Sequence, residues 1–345
     1  MTSLYSEVDL PHKPSDHPDW QESWVLVFRD PITGATGFLR TGAYVNQGAT
    51  QTHWGMALPD GTRFRRHLLD RKLEKGDRTE TTASSGTAKF SIPDMKYCRF
   101  EAWDDDAEVD LRVYDWFPSQ DWSFVGGPYH GKLLGSIAGP EQATMGTSGH
   151  PESAGRLEGR VRFGNRVIDI ENGLAYRDHG YGDRPHAVFR AARWHAGTVG
   201  PDMSYSLVSM MDEPGNLHKM GWVMLNGKRE TIRDLHTVSS TLCDGYSVIG
   251  GWSVVKLENG EILRINVDTV DGVVTSTHFD NGGPGSSPAG IEALSIPRWN
   301  GRSGVCDFNM IDNPLRGEQP VSNTLMANCD VGLTKREFDP QWIRQ

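Results

Sequence analysis

Residues 221–232 read G-W-V-M-L-N-G-K-R-E-T-I, an apolar run that ends at Asn226-Gly227 and is followed by a polar run. Asn-Gly favours a two-residue turn between antiparallel strands, because both residues tolerate a positive φ. The same arrangement recurs in residues 257–267, L-E-N-G-E-I-L-R-I-N-V, around Asn259-Gly260. These two patterns predict β-hairpins that belong to a meander.

Alternation at a period of two extends the β prediction to the first half of the chain. In residues 23–30, S-W-V-L-V-F-R-D, and in residues 109–114, V-D-L-R-V-Y, every second side chain is apolar and falls on one face. Only residues 63–76, R-F-R-R-H-L-L-D-R-K-L-E-K-G, have helical spacing, and a strand that enters a loop is the alternative there. We therefore predict an all-β fold built from sandwiches or barrels.

Length and charge restrict the function. At 345 residues the chain exceeds one usual domain, and we predict two, residues 1–180 and 181–345. The net charge of -10 argues against a nucleic-acid partner. No apolar run approaches the roughly 20 residues of a membrane span, and the N-terminus does not resemble a signal peptide. We expect a soluble cytoplasmic protein, and the sequence leaves a homo-oligomer open.

The common cofactor motifs are absent from the sequence. Residues 126–132 have the G-x-x-x-x-G-K spacing of a phosphate-binding loop, but Leu133 stands where Ser or Thr would bind magnesium. The sequence contains no G-x-G-x-x-G after a strand, no G-x-S-x-G and no H-E-x-x-H. The four cysteines form no C-x-x-C pair, which gives no reason to expect a zinc or redox site. We predict no cofactor and no metal.

Residues 173–186, G-L-A-Y-R-D-H-G-Y-G-D-R-P-H, concentrate groups that can carry protons. In a strand, Tyr176 and Asp178 point to the same side and would share one cavity. An apolar cavity would raise the pKa of Asp178 and let this carboxyl donate a proton near neutral pH. The alternative is a structural corner, in which glycines turn the chain and Arg184 pairs with a carboxylate.

A metal site is the other alternative for this region. His179, His186 and His195 could bind a metal if strands bring them together, which would make the protein a metal-dependent lyase. Their irregular spacing does not support a ligand set. We therefore prefer acid–base chemistry.

Several motifs resemble the hydroxyneurosporene synthase (carotenoid 1,2-hydratase) and AttH-like lipocalin-related family. Residues 176–184 match Y-x-D-H-x-x-G-x-R, and three upstream segments agree with the family. These are E-S-W-V-L-V-F-R-D-P-I-T-G-A-T-G-F-L-R at 22–40, W-G-M-A-L-P-D-G at 54–61 and H-P-E-S-A-G-R-L-E-G-R-V-R-F at 150–163. Together they span most of the chain.

The resemblance implies two lipocalin-like β-domains packed together, with residues 176–184 at their junction and an apolar pocket in or between them. It also implies bulky lipophilic substrates and no nucleotide cofactor. In the hydratase branch a Tyr-x-Asp pair and an upstream His are implicated in protonating an alkene, which maps onto Tyr176, Asp178 and His150. Here Pro151 and Glu152 follow His150, where the hydratase has a nearby Trp.

We predict a lyase of the hydratase or dehydratase type, or an isomerase, for a terpenoid, polyketide, steroid or lignin-like aromatic. Asp178 is the expected general acid or base. Tyr176 is expected to orient Asp178 or relay its proton, and His179 to tune the charge of Asp178 or to act as the base in its place. The residues expected to bind the substrate are Arg184, Tyr181, His150, Trp194, Trp54 and Tyr205. The competing function is a lipocalin-like carrier of a lipophilic ligand, a choice that the fold alone does not decide.

Overall fold

The computed structural model describes residues 3–136, 149–183, 189–212, 216–242, 247–276 and 289–312. In these residues nearly all regular structure is antiparallel β-strand, arranged in two large curled sheets. The predicted all-β, lipocalin-like fold is thus confirmed. No helix in the described part of the chain is long and apolar enough to cross a membrane.

The first sheet contains ten described strands in the spatial order β4-β3-β2-β1-β11-β10-β8-β7-β6-β5. Their bounds are β1 Trp20–Arg29, β2 Thr36–Tyr44, β3 Ala49–Ala57, β4 Arg63–Lys72, β5 Thr82–Ser84, β6 Ala88–Ser91, β7 Cys98–Trp103, β8 Ala107–Asp115, β10 Glu152–Phe163 and β11 Arg166–Asp183. The short 3-10 helices among the described residues are Glu7–Asp9, Val45–Gln47, Pro93–Met95 and Leu134–Ser136.

The second sheet has its main path in the order β15-β14-β13-β12-β21-β19-β18-β17-β16. Its bounds are β12 Phe189–Thr198, β13 Met203–Asp212, β14 Leu217–Leu225, β15 Lys228–Glu230, β16 Ile232–Thr241, β17 Val248–Leu257, β18 Ile262–Ser276, β19 Ala289–Trp299 and β21 Val305–Asp312, with β9 Ser123–Phe124 beside β14 and β20 Arg302–Ser303 beside β19. The predicted division at residues 180 and 181 falls near the end of β11, and it stays a prediction.

Local sequence signals account for these hairpins. Asn226 and Gly227 join β14 to β15 with φ angles of 50° and 76°, the positive pair that a type I′ turn needs. The strands β17 and β18 pair around the second Asn-Gly turn, where Gly260 has a φ of 89°. Both predicted hairpins are confirmed.

Strand β1 shows how the two sheets are joined. Trp24, Leu26 and Phe28 pack into the core of the first sheet, as their alternation predicted. The alternate side chains Val25 and Val27 point the other way and pack with residues of the second sheet. Since both faces of this part of β1 are buried, residues 24–28 form a continuous apolar run, W-V-L-V-F.

The helix expected in residues 63–76 is wrong, and the strand alternative is correct. Arg63–Lys72 forms β4, whose residues pair with β3 from Ala49 to Ala57. The leucine spacing in this segment suits a helix or a strand, and the free edge of β3 decides between them by pairing with eight residues of β4.

Candidate functional site

The candidate site lies where β10 and β11 of the first sheet face the second sheet. His150 lies two residues before the start of β10, and Glu152 opens that strand directly opposite Asp178 on β11. Directly opposed residues of paired strands project from the same face. Tyr176 lies two residues before Asp178 and packs in the apolar cluster between the sheets.

His150 lies between two carboxylates. Its Nε2 atom is 2.9 Å from Oδ2 of Asp178, and its Nδ1 atom is 3.1 Å from Oε1 of Glu152. The side chains of all three residues are at most 8% exposed. The imidazole ring can therefore exchange a proton with either acid without contact with bulk water.

Indole groups hold Glu152 in place. The Nε1 atoms of Trp122 and Trp222 donate hydrogen bonds to Oε2 of Glu152 over 2.9 and 2.6 Å. Trp122 and Trp194 also donate to the hydroxyl of Ser206 on β13, each over 2.9 Å. Trp194, Ser206 and Trp222 belong to the second sheet, so the candidate site contains residues of both sheets.

The same indoles form aromatic walls. The Trp122 ring stacks on His150 with centroids 3.9 Å apart and an interplanar angle of 20°. The Trp194 ring is nearly perpendicular to His150, with centroids 5.8 Å apart, and Trp222 lies nearly parallel to the phenol of Tyr176 at 6.1 Å. A positive charge in this site would meet several π-faces.

Burial and charge act in opposite directions on these groups. Burial alone would lower the pKa of His150, but the negative charges of Asp178 and Glu152 outweigh it and raise the pKa to about 9. Burial raises the pKa of the Glu152 carboxyl. Burial and the nearby Glu152 charge raise the pKa of the Tyr176 phenol well above its usual value. His150 is therefore an imidazolium at neutral pH, and Tyr176 keeps its proton.

Four buried polar atoms of the site lack a well-aligned hydrogen-bond partner. They are Nδ1 of His150, Oε1 of Glu152, Oδ2 of Asp178 and the hydroxyl of Tyr176. The contacts of His150 with its two acids are thus close ion pairs with poor hydrogen-bond angles. Buried polar atoms are usually satisfied in folded proteins, and catalytic hydrogen bonds often align only when substrate is present. Four such atoms in one cluster mark it as the candidate active site.

His179 lies on the opposite face of β11 from Asp178. Its Nε2 atom is 2.8 Å from Oε1 of Glu22, its Nδ1 atom is 3.1 Å from the carbonyl of Val8, and its ring stacks on Trp24. Consecutive side chains of a strand alternate between faces, so a neighbour of Asp178 in sequence points away from it. We therefore leave His179 out of the proposed machinery.

The other predicted binding residues are dispersed. Trp194 lies at the site, whereas Tyr181 stacks on His12, and Trp54 packs in the first core. Tyr205 lies inside the second sheet, where its hydroxyl is 2.6 Å from Nε2 of His195. Arg184 lies outside the described residues. Side chains predicted from their type alone are therefore mostly core residues of one sheet or the other.

The three-histidine metal site does not form in the described residues. His179 and His195 belong to the interiors of different sheets, and His186 lies outside the described ranges. The residues that do converge are His150, Glu152 and Asp178, and separately His12, Glu22 and His179. In the second group Arg78 also pairs with Glu22, so a cation already neutralises that carboxylate.

Sequence reasoning missed Glu152, Trp122, Trp222 and Ser206 as parts of the site. One signal for Glu152 was available, because it stands two residues after His150, the spacing that places two side chains on one face of a strand. Nothing local distinguished Trp122 or Trp222 from core tryptophans, because their partner Glu152 is 30 and 70 residues away in sequence.

Comparisons with known proteins agree on the fold. The sequence model of a family described as a domain of unknown function (DUF7064) matches residues 5–314. No curated protein matches the chain. An AttH candidate of Nitrosomonas europaea shares the fold, with a TM-score of 0.58, 12% identity and coverage of 89% of this chain and 98% of that one.

Two further solved structures share the fold of this chain. CghA bound to Sch210972 has a TM-score of 0.57 and 12% identity, and covers 87% of this chain and 90% of its own. Kievitone hydratase of Nectria haematococca has a TM-score of 0.56 and 8% identity, with the same coverages. The predicted resemblance to the AttH-like group is confirmed at the level of the fold.

Proposed function

We propose that this chain, which belongs to the DUF7064 family, is a lyase-type enzyme that adds or removes water on a hydrophobic small molecule. The observation that carries the proposal is the buried array of Glu152, His150 and Asp178 beside three indoles, with its polar atoms unsatisfied. The shared fold with a kievitone hydratase supports a reaction of this class.

In the direction of hydration, the imidazolium of His150 passes its Nε2 proton to Oδ2 of Asp178. The carboxyl of Asp178 then protonates an alkene carbon, so that the π-electrons form the new C–H bond and the neighbouring carbon becomes cationic. Water adds to the cation and loses a proton to the now neutral Nε2 of His150. The sum is alkene plus water to alcohol, and both residues return to their starting states.

The surroundings favour the charged stages of this reaction. The π-faces of Trp122, Trp194 and Trp222 stabilise the cationic carbon by electrostatic attraction to the ring quadrupole. Exclusion of bulk water strengthens every interaction of the buried charges. Tyr176, which keeps its proton, is a hydrogen-bond donor for the oxygen that enters or leaves.

A comparison of wild type, Asp178→Asn and Asp169→Asn tests the proposal. Asp169 lies on the same strand as Asp178 but is exposed and pairs with Arg160, which makes it a matched control. Each folded protein is incubated with a lipophilic metabolite extract, and substrates and products are compared by mass spectrometry. We expect a compound that gains or loses the mass of water with wild type and Asp169→Asn, and conversion at least about a hundredfold slower with Asp178→Asn.

Three other outcomes of this experiment would contradict the proposed hydratase mechanism. Full turnover by folded Asp178→Asn refutes the mechanism, and a product of unchanged mass indicates an isomerase instead of a hydratase. Retention of one unchanged compound by all three proteins supports the carrier function, because binding without chemistry does not need the proton of Asp178.

A second candidate is a metal-assisted lyase that uses the same residues. One donor atom each from His150, Glu152 and Asp178 lies within 4.8 Å of the others, and one imidazole with two carboxylates suits zinc or iron. The acid–base proposal is favoured because the two nitrogens of His150 face different carboxylates, an arrangement that shares protons without any ion.

A further inference from the structure

Trp122, which bonds to Glu152 and stacks on His150, lies in a segment with little regular structure of its own. Asp121 and Trp122 belong to no strand, and the strand that follows them, β9, has two residues. The backbone N–H of Trp122 donates to Oδ1 of Asp121 over 2.7 Å, and its carbonyl accepts from the backbone of Leu134. No strand ladder fixes the direction of this indole, so contacts around the segment determine where it points.

The two ends of the segment pair with different sheets. Gln120 exchanges two backbone hydrogen bonds with Glu152 at the start of β10, over 2.8 and 2.9 Å. Ser123 pairs with Gly221 on β14, a strand of the second sheet. Trp122 therefore lies where the chain crosses from one sheet to the other.

Arg229 on β15 binds this crossing segment at three points. Its Nη1 atom donates to the amide oxygen of Gln120 over 2.8 Å. Its Nη2 atom donates to the carbonyl of Asp121 over 2.8 Å and to the hydroxyl of Ser123 over 2.6 Å. These acceptors stand on both sides of Trp122 in the chain. The planar fork of a guanidinium suits several acceptors in fixed positions, an arrangement that an ammonium group cannot match.

Arg229 reaches the segment from the face of the second sheet that carries the site. It lies directly opposite Met224 on β14, whose side chain packs in the apolar cluster with Trp222 and Tyr176. No carboxylate of the described residues forms an ion pair with it, and partial burial lowers the pKa of its guanidinium. Neutral acceptors compensate for the burial of a cation only in part, so Arg229 provides a fixed position for the segment and not a salt bridge.

We propose that Arg229 is a positioning residue of the candidate active site. By holding residues 120–123, it keeps the Trp122 indole in contact with Glu152 and His150. A cation that does not touch the substrate thus controls the geometry of the groups on which the proposed chemistry depends. The effect of Arg229 on turnover rests on the proposed function, whereas its effect on Trp122 does not.

Displacement of the indole has a specific consequence for Glu152. Oε2 of this carboxylate accepts from Trp122 and Trp222, and without Trp122 only the bond from Trp222 remains. Oε1, the oxygen that faces Nδ1 of His150, is then free to rotate away from the ring. The indole also attracts the cationic carbon. Both interactions act in the transition state, so kcat should fall while KM changes little.

Hydrogen exchange of the indole N–H groups tests the positioning without a substrate. The full-length protein is labelled with ¹⁵N-tryptophan, and the Nε1 signals of Trp122 and Trp222 are assigned with Trp122→Phe and Trp222→Phe. We expect Arg229→Met to accelerate exchange at Trp122 at least about tenfold, because hydrogen bonds from a charged group stabilise a local structure by this factor or more. Exchange at Trp222, which lies on β14, should change less than about twofold and reports any general loosening.

A matched control lies next to Arg229 on the same strand. The side chain of Lys228 is 77% exposed and pairs with Glu230, so Lys228→Met should leave indole exchange and turnover as in wild type. Ser123→Ala removes one of the three acceptors and should accelerate exchange at Trp122 by about threefold. Arg229→Lys keeps the charge without the fork and should restore part of the protection that is lost in Arg229→Met.

Two results would overturn the proposal. Unchanged exchange at Trp122 in folded Arg229→Met, or in Ser123→Ala and Arg229→Lys if Arg229→Met does not fold, would mean that the segment is held without Arg229. Equal acceleration at Trp122 and Trp222 would assign a general stabilising role to Arg229.

Turnover distinguishes failure of the positioning from failure of the proposed reaction. With the substrate identified by comparing wild type and Asp178→Asn, Arg229→Met should lower kcat at least about tenfold and change KM less than about threefold. If wild type turns nothing over, the proposed reaction fails, and indole exchange still decides whether Arg229 positions Trp122. If kcat is unchanged although Trp122 has lost its protection, the role of Arg229 in catalysis is overturned.

Discussion

Replacing Glu152 with Gln should move the alkaline limit of turnover to lower pH. The change keeps the size of the side chain and an oxygen that accepts an indole hydrogen bond, but it removes one of the two charges that hold the proton on His150. Those charges raise the pKa of His150 from 6.5 to about 9, against the effect of burial, which is a preference of roughly 3 kcal/mol for the charged ring.

The size of the shift follows from the two carboxylates. An opposite charge at this distance raises a pKa by about 1 to 3 units, and Asp178 contributes more than Glu152. We therefore expect the pKa of His150 to fall by about 1 unit in Glu152→Gln. Since the reaction starts from the imidazolium, turnover of wild type should decline above pH of about 9, and that of the variant about one unit earlier.

Turnover is measured from pH 6 to 10, and His150 is titrated by NMR in parallel. The pH above which turnover declines can then be compared directly with the pKa of His150. Glu158→Gln, a more exposed change on the same strand, is the control and should retain the wild-type profile. An alkaline limit in folded Glu152→Gln that equals or exceeds that of wild type would refute the assignment of the proton to His150.

Two further predictions concern stability and metal dependence. Hydrogen bonds from His12 and His179 outweigh burial and lower the pKa of Glu22 from 4.5 to about 2, so the stabilisation by Glu22 is present above pH of about 4.5 and is lost as the pH falls toward 2. Glu22→Gln should therefore lower the free energy of unfolding at pH 7 by up to roughly 3 kcal/mol and make that free energy depend less on acid pH. Denaturant unfolding at pH 7 and pH 3 measures both effects, and an unchanged acid dependence would contradict this prediction. Dialysis against EDTA should leave turnover within about twofold of the untreated protein, and a loss restored by zinc or iron would favour the metal-assisted mechanism.

Local sequence signals predicted much of the fold. The alternation of Trp24, Leu26 and Phe28 placed these side chains on one face, and two Asn-Gly dipeptides located two hairpins. Each signal depends on a few neighbouring residues and the geometry of one strand or turn. The segment at residues 63–76 was ambiguous because its leucines suit two periods, and only pairing with β3 resolved it.

The candidate site was predictable in part. The period of a strand placed Tyr176 and Asp178 on one side, and the resemblance to a known family pointed to His150. The same period separates His179 from Asp178, although their adjacency in sequence suggested a shared role. Glu152 was overlooked because the indoles that donate hydrogen bonds to it, those of Trp122 and Trp222, lie far from it in the sequence.

The sequence by itself determined that this chain is antiparallel β and that it carries a Tyr-x-Asp pair on one strand face, because strand period and turn chemistry are local properties. Only the tertiary structure decided which polar groups meet. The register of β10 against β11 brings Glu152 opposite Asp178. Strand register is set by packing over the whole sheet, which joins residues far apart in the chain, and no short stretch of sequence contains that information.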